Sequence, residues 1–473
     1  MNKTPTYLSD QQIQTWKPYS NPPKDGVYKT QTKQRMQDNN QWHDYQMAGR
    51  RWPIGCVSLE ITQRCNLDCT LCYLSDASEA VKDIPLTEVY KRLDDIYEHY
   101  GPETDIQISG GDPTLRKREE LIAIVEYAAQ YRFKTSLFTN GILAKRDLLL
   151  DLKQAGLVDV AFHVDLTQER KGFNTEVELN RIREKYIEAA HGTGLNIFFN
   201  TTVYEGNFHE IPDLVRFFNA NADKVDLASF QLQADTGRGV LRERDFMITP
   251  ETVSEKINAG AGCTINFDVA HIGHHDCNRY GIALVAGNKA FNFLEKTKLF
   301  KTIVQQSAEF NIDREEKANT GNYFAKLVLT KPSLWLPLMG YVLRKLWAMK
   351  GALLQSKGKV QKMTYFIHNF MDEKHLDQER CESCVFMVAT PQGPISMCVH
   401  NAKRDDFILQ NLTVKNGEQE ATWNPLTGTT VDNNKQNPNK NQLDLNELPV
   451  KRLKGRYRQK KINGEDSEIL PVL

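Results

Sequence analysis

The 473-residue sequence has no excess charge of either sign and no long apolar run. Lys and Arg together number 60, as do Asp and Glu, so the formal net charge is zero. A general nucleic-acid binder would carry a basic excess, so this balance argues against that class. No apolar run is long enough to span a bilayer, and the N-terminal residues contain no signal-peptide h-region. We therefore expect a cytoplasmic protein without specific nucleic-acid binding.

Cysteine is absent from residues 1–50, and the whole chain has only nine. Such a long chain does not resemble a small secreted disulfide framework. Three cysteines nevertheless fall close together in Cys65-Asn-Leu-Asp-Cys69-Thr-Leu-Cys72, a C-x3-C-x2-C spacing. Cluster thiolates usually come as four, so a set of three predicts a [4Fe–4S] cluster with one open iron. Zinc is the alternative, but the second C-x2-C or His pair that it needs is missing from about the next hundred residues.

Predicted strands and helices alternate between residues 56 and 232. The β-rich segments are 56–62, 105–109, 134–138, 158–164, 196–203 and 224–232, and helical periodicity separates them. This order predicts an α/β fold with a parallel sheet, either open or closed into a barrel. Ligands of such sheets bind at the carboxyl ends of the strands. One shared site is therefore predicted from the residues at those ends, which are the three-cysteine loop, Gly110, Gly111, Asn140, Asp165, Thr201 and Gln233.

The three-cysteine loop, together with Ser109-Gly-Gly-Asp-Pro113, resembles the radical S-adenosylmethionine (SAM) superfamily. The resemblance covers about residues 52–240 and implies a partial (β/α)6 barrel. It implies that Cys65, Cys69 and Cys72 hold the cluster, and that the amine and carboxylate of SAM chelate the open iron. Reductive cleavage of SAM would then yield a 5′-deoxyadenosyl radical, a cofactor chemistry for which the protein supplies binding and orientation.

The same resemblance implies which residues bind SAM. A Gly-Gly-Glu-Pro segment binds the amino group in the family, and here Gly110, Gly111 and Asp112 take that place, with a carboxylate shorter by one methylene. Further candidates for SAM contacts are Asn140, Thr201 and Gln233. The residue before the third cysteine is commonly aromatic in the family. Here it is Leu71, and Tyr73 follows the cysteine, so either side chain is a candidate for the adenine contact.

Four later cysteines predict a second metal site. Cys381 and Cys384 form a C-x2-C pair, Cys398 follows, and Cys277 can supply a fourth thiolate. Four thiolates suit either zinc or a closed [4Fe–4S] cluster. In a chain that already carries a cluster motif we expect an auxiliary cluster, with structural zinc or a buried thiol set as the alternatives. The histidines of segment 271–275 are more often structural or surface groups than ligands.

The segments around this second cysteine set resemble a narrower group within the superfamily. Residues 230–238, 366–372, 377–381 and 391–401 are similar to archaeal tetraether lipid synthase and the class D radical SAM methylases. Members of that group act on saturated carbon, in lipid chains or in a pterin-like molecule. The resemblance implies C–H functionalisation, by methylation or C–C bond formation, of a lipid-like or other apolar substrate. The cysteine knuckle that often precedes the barrel in that group is missing here.

Two stretches of the sequence are candidates for peripheral contact with the inner face of the membrane. Residues 331–354 combine Trp, Tyr and Leu with Arg344, Lys345 and Lys350. That composition suits an interfacial membrane helix, a core helix or a lid over the barrel mouth. The basic segment 451–461 follows a polar low-complexity tract at 433–442, for which composition predicts disorder. Such a segment is either a solvated tail or a contact for anionic lipid.

The sequence thus predicts four parts. They are a polar N-terminal extension (1–50), a radical SAM core (51–245), an auxiliary-cluster and substrate-capping domain (246–410) with an apolar basic helix near 334–354, and a polar, basic tail (411–473). The resemblance implies a radical SAM enzyme supplied with electrons by a donor such as a flavodoxin or ferredoxin. The alternative is a peptide-modifying maturase with an auxiliary cluster. A non-catalytic iron–sulfur or zinc scaffold is the third class.

Overall fold

The computed structural model describes residues 5–20, 34, 36–42, 54–241, 244–306, 317–416 and 419–432. The polar tract 433–442 and the basic segment 451–461 lie outside the described residues. So does most of the N-terminal extension beyond residue 20. The remaining predictions concern residues that the structure describes, and their positions are given below.

A large, mostly parallel sheet forms the centre of the molecule. Its strands are β1 (Cys56–Thr62), β2 (Asp105–Gly110), β3 (Lys134–Thr139), β4 (Asp159–His163), β5 (Asn196–Val203), β6 (Leu227–Leu232), β7 (Asn278–Ala286), β8 (Lys289–Asn292), β9 (Gln361–Asn369), β10 (Phe386–Thr390) and β11 (Gly393–Ser396). Their order across the sheet is β11-β10-β1-β2-β3-β4-β5-β6-β9-β7-β8. The six predicted strands are β1 to β6, and the α/β fold class is confirmed.

Two further parallel strands come from the C-terminal half. Strand β10 pairs with β1, with Cys56 opposite Phe386, and β9 pairs with β6, with Leu232 opposite Asn369. Strands β7 and β11 are antiparallel to their neighbours. Residues on both sides of the proposed boundary at 245 therefore share one sheet, which places both cysteine sets on the same framework.

Helices cover one face of this sheet. Those between the parallel strands are α2 (Leu86–Tyr100), α3 (Arg118–Gln130), α4 (Arg146–Ala155), α5 (Glu176–Ala190) and α6 (Ile211–Ala220), and α1 (Asp10–Thr15) precedes them. The later helices are α7 (Pro250–Ala261), α8 (Thr297–Gln306), α9 (Lys317–Thr330), α10 (Trp335–Gln355), α11 (Gln378–Glu382), α12 (Met397–Ala402) and α13 (Asp405–Ile408). Alternate strand residues such as Leu59 and Ile61 join the fully buried core that these helices complete, because side chains alternate between the two faces of a strand.

The other face of the sheet carries polar side chains, and several of them are hydrogen-bonded to one another. The hydroxyls of Ser58 and Ser109 lie 2.6 Å apart across β1 and β2. Ser136 donates to Asp159 at 2.7 Å across β3 and β4. Buried polar groups are tolerated when they are hydrogen-bonded. The sheet therefore separates an apolar, helix-covered side from a polar side.

An N-terminal segment packs near the second cysteine set, and the end of the described chain forms a separate small sheet that packs against Ile84. In the N-terminal extension, the backbone of Leu8 donates to Leu376 at 2.9 Å, and Ile13 joins a buried cluster that includes Cys381. In the region of the predicted tail, residues 412–432 form a small antiparallel sheet of β12 (Leu412–Asn416), β13 (Gln419–Trp423) and β14 (Thr430–Asp432). Within the part of the chain that the structure describes, no helix combines the length and the apolarity needed to cross a bilayer.

A buried ion pair links the C-terminal half to the first strand. Arg404 donates to both carboxylate oxygens of Glu60, at 2.8 and 2.6 Å, and both side chains are almost fully buried. Burial by itself raises the pKa of Glu60, but Arg404 and His400 outweigh it and lower the pKa to about 2. The pair is therefore charged at neutral pH, and each partner depends on the other.

We predict that Arg404→Met lowers the free energy of unfolding by about 3–5 kcal/mol, because it leaves a buried carboxylate unpaired. Urea denaturation of the apo-protein, followed by circular dichroism, measures the change. Arg118→Met is the matched control, since Arg118 pairs with Asp147 and Asp151 at the surface and its loss should cost less than about 1 kcal/mol.

The pKa of Glu60 also predicts how the effect of Arg404→Met on stability changes with pH. The folded pKa of Glu60 lies below its ordinary value of 4.5, so its contribution is present above that value and lost as pH falls toward about 2. The stability difference between the wild type and Arg404→Met should therefore shrink as pH falls below about 4.5. A difference that stays constant down to pH 3 would contradict the assigned role of the pair.

Candidate active site

The three cysteines of the C-x3-C-x2-C motif lie in the loop that directly follows β1. Cys65, Cys69 and Cys72 form no disulfide bonds, and all three are half-buried. Burial raises the pKa of the Cys69 thiol well above its ordinary value, and the nearby Cys72 and Cys65 sulfurs raise it further. The loop therefore brings the three sulfurs into one electrostatic environment, as the spacing predicted.

The glycine loop after β2 lies directly against the start of the cysteine loop. The backbone N–H of Gly111 donates to Thr62 at 2.9 Å, and that of Asp112 donates to Arg64 at 2.7 Å. A Cβ on Gly110 would lie 2.0 Å from the Thr62 carbonyl oxygen, and one on Gly111 would lie 1.9 Å from the Arg64 oxygen. Only glycine fits both positions, because any side chain would push the two loops apart.

The Asp112 carboxylate is engaged with protein groups in this structure. It is fully buried and accepts hydrogen bonds from the Thr114 N–H at 3.0 Å, the Thr139 hydroxyl at 2.9 Å and the Asn140 N–H at 2.8 Å. The Thr114 hydroxyl also donates to it. Asp112 thus joins the loop after β2 to the end of β3, which points to a positioning role in addition to any contact with SAM.

Asn140, at the end of β3, reaches the first cysteine. Its side-chain amide donates to Asn66 at 2.6 Å and lies 3.9 Å from the Cys65 sulfur. Its backbone N–H is held by Asp112. The three loops after β1, β2 and β3 are therefore interlocked around Cys65, and the side chain of Asn140, a predicted SAM contact, approaches this predicted cluster ligand.

The end of β4 contacts the cysteine loop through backbone. Asp165 is fully buried and accepts from His163 at 2.7 Å and from the Thr202 N–H at 2.8 Å. Burial raises its pKa, but His163 outweighs this and lowers the pKa to about 2. Asp165 also caps the turn that contains Thr167, whose carbonyl accepts from the N–H of Thr70 inside the cysteine loop at 2.7 Å.

Two further candidates lie at strand ends but have other contacts. Thr201, near the end of β5, is almost fully buried, and its hydroxyl lies 3.5 Å from the Val164 carbonyl. Gln233, just after β6, is half-buried, and its amide donates to Leu241 at 2.5 Å. Both lie at the predicted edge of the sheet, and their contact with SAM stays a prediction.

The segment after β6 covers the cysteine loop, and the motif analysis did not single out its arginine. The Arg238 N–H donates to Leu74 at 2.7 Å, and the Val240 N–H donates to Thr70 at 2.8 Å. The Arg238 side chain is buried and pairs with Glu79 at 2.7 Å; burial lowers its pKa, but the nearby Cys72 sulfur and Glu79 outweigh burial and raise it. The signal that the sequence offered was Gly237 and Gly239 on either side of Arg238, because residues without a side chain let this segment approach the cysteine loop closely.

Tyr73 occupies the position directly after the third cysteine and ties the loop to β2. Its hydroxyl donates to the Gly110 carbonyl at 2.5 Å, and the Arg404 guanidinium lies 4.7 Å from its ring centroid. Burial raises the pKa of Tyr73. The hydroxyl is therefore protonated and acts as a donor that supports the glycine loop.

The structure brings the four later cysteines together. Cys277 precedes β7, Cys381 lies in α11, Cys384 follows that helix and Cys398 lies in α12. Burial raises the pKa of Cys381, and the Cys398, Cys384 and Cys277 sulfurs raise it further. Burial likewise raises the pKa of Cys398 to about 12. Three separate chain segments thus contribute thiols to one buried location.

A buried arginine accompanies this second set. The Arg380 Nε donates to the Cys277 sulfur at 3.3 Å, and the guanidinium also donates to the Asn369 carbonyl at 2.5 Å. The neighbouring thiols raise the pKa of Arg380 in spite of its burial. A fixed positive charge beside several thiols would offset part of the negative charge that metal-binding thiolates carry.

Both cysteine sets are spread more widely than a zinc site. In the part of the chain that the structure describes, the one group of three His, Cys, Asp or Glu ligand atoms that all lie within 4.8 Å of one another is His274, His275 and Asp276. Any three of the cysteine sulfurs therefore include a pair farther apart than that. Tetrahedral zinc, with Zn–S near 2.3 Å, would hold its sulfurs about 3.8 Å apart.

Comparison with known proteins agrees with the fold and the motifs. Residues 59–218 match the model of the Radical SAM superfamily. PqqA peptide cyclase of Bradyrhizobium diazoefficiens is 29% identical over 180 residues, which is 37% of this chain and 46% of the relative. The 7,8-dihydro-6-hydroxymethylpterin dimethyltransferase of Methanocaldococcus jannaschii is 29% identical over 192 residues, 38% of this chain and 37% of the relative. The structure of Streptococcus suis SuiB is 17% identical and covers 40% of this chain and 43% of its own, with a TM-score of 0.32.

Residues 59–218 are thus identified as a radical SAM domain, and the members of that superfamily are enzymes that use a [4Fe–4S] cluster and SAM. The resemblance stated from the motifs is thereby confirmed at this level. The matched segment contains the three-cysteine loop and the glycine loop. The chain spans less than half the length of the two relatives described, so its substrate and its particular reaction are matters for proposal.

We predict that Gly111→Ala separates the two loops, lowers iron from about eight toward about four per chain and weakens SAM binding at least about tenfold, because its Cβ would overlap the Arg64 carbonyl. Anaerobic reconstitution with iron and sulfide, followed by iron analysis and equilibrium dialysis against SAM, measures both. Gly351→Ala in α10 is the control, since nothing lies within 4 Å of its Cβ position. Full iron loading of Gly111→Ala would show that the close approach is dispensable.

Proposed function

We propose that Cys65, Cys69 and Cys72 hold a [4Fe–4S] cluster whose open iron binds SAM, and that this site generates a 5′-deoxyadenosyl radical. The observation that carries the proposal is the interlocking of the loops after β1, β2 and β3 around three half-buried thiols. When bound, the cluster and SAM supply one-electron chemistry that no amino-acid side chain provides. The electron comes from a donor such as a flavodoxin or ferredoxin.

Residues around this site are proposed to support it through close backbone packing and through charge. Gly110 and Gly111 have no side chains, so the backbone of the glycine loop can pack against the cysteine loop. Asp112 accepts a hydrogen bond from the Asn140 N–H and so holds Asn140 beside Cys65. Arg238 places a buried positive charge next to Cys72, where it would offset part of the negative charge of a bound cluster. Thr201 and Gln233, at the same edge of the sheet, are proposed to line the SAM pocket.

We propose that Cys277, Cys381, Cys384 and Cys398 hold an auxiliary [4Fe–4S] cluster. Support comes from the proximity of the four thiols, whose sulfurs raise the pKa of Cys381, in a chain that already carries a cluster motif. Arg380, hydrogen-bonded to Cys277, would raise the reduction potential of such a cluster, because hydrogen bonds to its sulfurs stabilise the more negative reduced state. Iron is thus the proposed metal of the second set, with zinc as the alternative.

The proposed reaction is C–H functionalisation of a lipid-like or other apolar substrate, by methylation or C–C bond formation. Its support is the resemblance of residues 366–401 to enzymes that act on saturated carbon, together with the apolar surface of α10. One of the relatives is, by name, a pterin dimethyltransferase. The second candidate is a peptide-modifying maturase, which is favoured by the match to a PqqA peptide cyclase.

We predict that the reconstituted wild type contains about eight iron ions per chain and forms 5′-deoxyadenosine from SAM upon reduction. Cys69→Ala should abolish 5′-deoxyadenosine formation, because three thiolates are needed to hold the cluster. Cys384→Ala should lower iron toward about four per chain. Cys263→Ala is the control, since this thiol belongs to neither set. Failure of the wild type to form 5′-deoxyadenosine would overturn the enzyme proposal, and four irons together with bound zinc would overturn the auxiliary cluster.

We predict that deleting the gene changes the profile of extracted membrane lipids, because the product is a lipid-like molecule with an added methyl group or a new C–C bond. High-resolution mass spectrometry of lipids from deleted and complemented cells makes the comparison. A complementing copy that carries Cys69→Ala should not restore the profile. An unchanged lipid profile, together with a mass change in a cellular peptide, would favour the maturase instead.

A further inference from the structure

Helix α10 has two apolar sides, and only one of them packs against the protein. Tyr341, Lys345, Met349 and Ala352 are buried and lie on one side of the helix, because they are three or four residues apart. The Tyr341 hydroxyl donates to the Phe293 carbonyl at 2.8 Å, and the Lys345 ammonium pairs with Glu295 at 2.6 Å. These contacts fix the orientation of the helix on β7 and β8.

The opposite side of α10 is a row of exposed large apolar side chains. Successive residues turn by about 100°, which places this row across the helix from the buried stripe. The row, called here the docking face, has exposed fractions of 75% for Leu336, 55% for Met339, 61% for Leu343, 51% for Leu346, 72% for Trp347 and 82% for Leu354. Leu329 in α9 is also 71% exposed. Exposed apolar patches of this size mark a surface that contacts a membrane or another protein.

The charge around the docking face has one sign. Residues 317–362 contain nine Lys or Arg and no Asp or Glu. Lys326, Lys331, Lys350 and Lys357 are exposed, and the Lys350 ammonium lies 3.7 Å from the Trp347 ring centroid. An apolar face surrounded by cations is complementary to a bilayer with anionic headgroups, where each basic residue near the surface contributes about 1 kcal/mol.

The charged residues of α10 also determine whether the helix would cross a bilayer or lie on its surface. Arg344, Lys345 and Lys350 interrupt α10, and no described helix is apolar and long enough to cross a membrane. A helix with an apolar face, Trp and basic neighbours lies in the interface, with the apolar face in the headgroup–acyl boundary. Trp347, with Lys350 above its ring, suits that depth because its indole is apolar in body and polar at one edge.

We propose that the docking face of α10 binds an anionic lipid bilayer, with its six apolar side chains inserted and the surrounding lysines on the headgroups. The partner is the bilayer surface itself. The proposal does not depend on radical chemistry, although a protein held on a bilayer would be well placed for a lipid-like substrate.

Co-sedimentation of the full chain with vesicles tests this proposal. Binding is expected to vesicles with about 30% phosphatidylglycerol in phosphatidylcholine, to be weaker for phosphatidylcholine alone, and to fall as salt rises. The double variant Leu343→Ser/Trp347→Ser should lose at least about tenfold in affinity. Lys350→Gln should lose about fivefold, on anionic vesicles only.

The double variant Leu150→Ser/Val177→Ser is the matched control, since these side chains are exposed on α4 and α5 and lie outside the docking face. It should bind vesicles like the wild type. Equal circular dichroism and iron content establish that both double variants are folded. Formation of 5′-deoxyadenosine in solution should be unchanged in Leu343→Ser/Trp347→Ser, which separates this proposal from the proposed function.

Two outcomes would overturn the proposal. One is a wild type that binds neither vesicle type, or binds both equally at all salt concentrations. The other is a wild type that forms a dimer in size-exclusion chromatography and becomes monomeric in Leu343→Ser/Trp347→Ser, because the face would then join two copies of the chain.

Discussion

The contact between the glycine loop and the cysteine loop is the constraint on which the rest of the site depends. Two backbone hydrogen bonds, from Gly111 to Thr62 and from Asp112 to Arg64, hold the loops at a distance that no side chain would allow. Asp112 then extends the contact to β3, and Asn140 carries it back to Cys65. A chain of short contacts thus positions the first predicted cluster ligand.

The same sheet fixes the second cysteine set relative to the first. Strand β10 begins two residues after Cys384 and pairs with β1, whose end leads into Cys65. The buried Glu60–Arg404 pair crosses the same junction. Because the links are backbone pairing and a buried charge pair, the two proposed clusters would be held by one rigid framework, whatever electron path runs between them.

The sequence predicted the local part of this structure well and the non-local part less well. Strand β2 was predicted at 105–109 and is observed at Asp105–Gly110, because hydrophobic alternation and following glycines are local signals. The pairing of β10 with β1 joins residues more than three hundred positions apart, which no local pattern reports. The roles of Arg238 and Arg380 were missed for the same reason, since an arginine reveals its partner thiol only after folding.

The segment around helix α10 has a local charge that the net charge of the whole chain does not reveal. The net charge of zero argued against polyanion binding, yet nine of the 60 basic residues and none of the 60 acidic residues lie in 317–362. The rest of the chain must therefore carry an acidic excess of nine. A charged surface is felt only within a Debye length of about 8–10 Å, so a bilayer would respond to this segment and not to the total. Sequence composition left α10 as a core helix, a lid or an interfacial helix, and the burial of Tyr341 and Lys345 opposite exposed Trp347 shows that only one side of α10 packs against the protein.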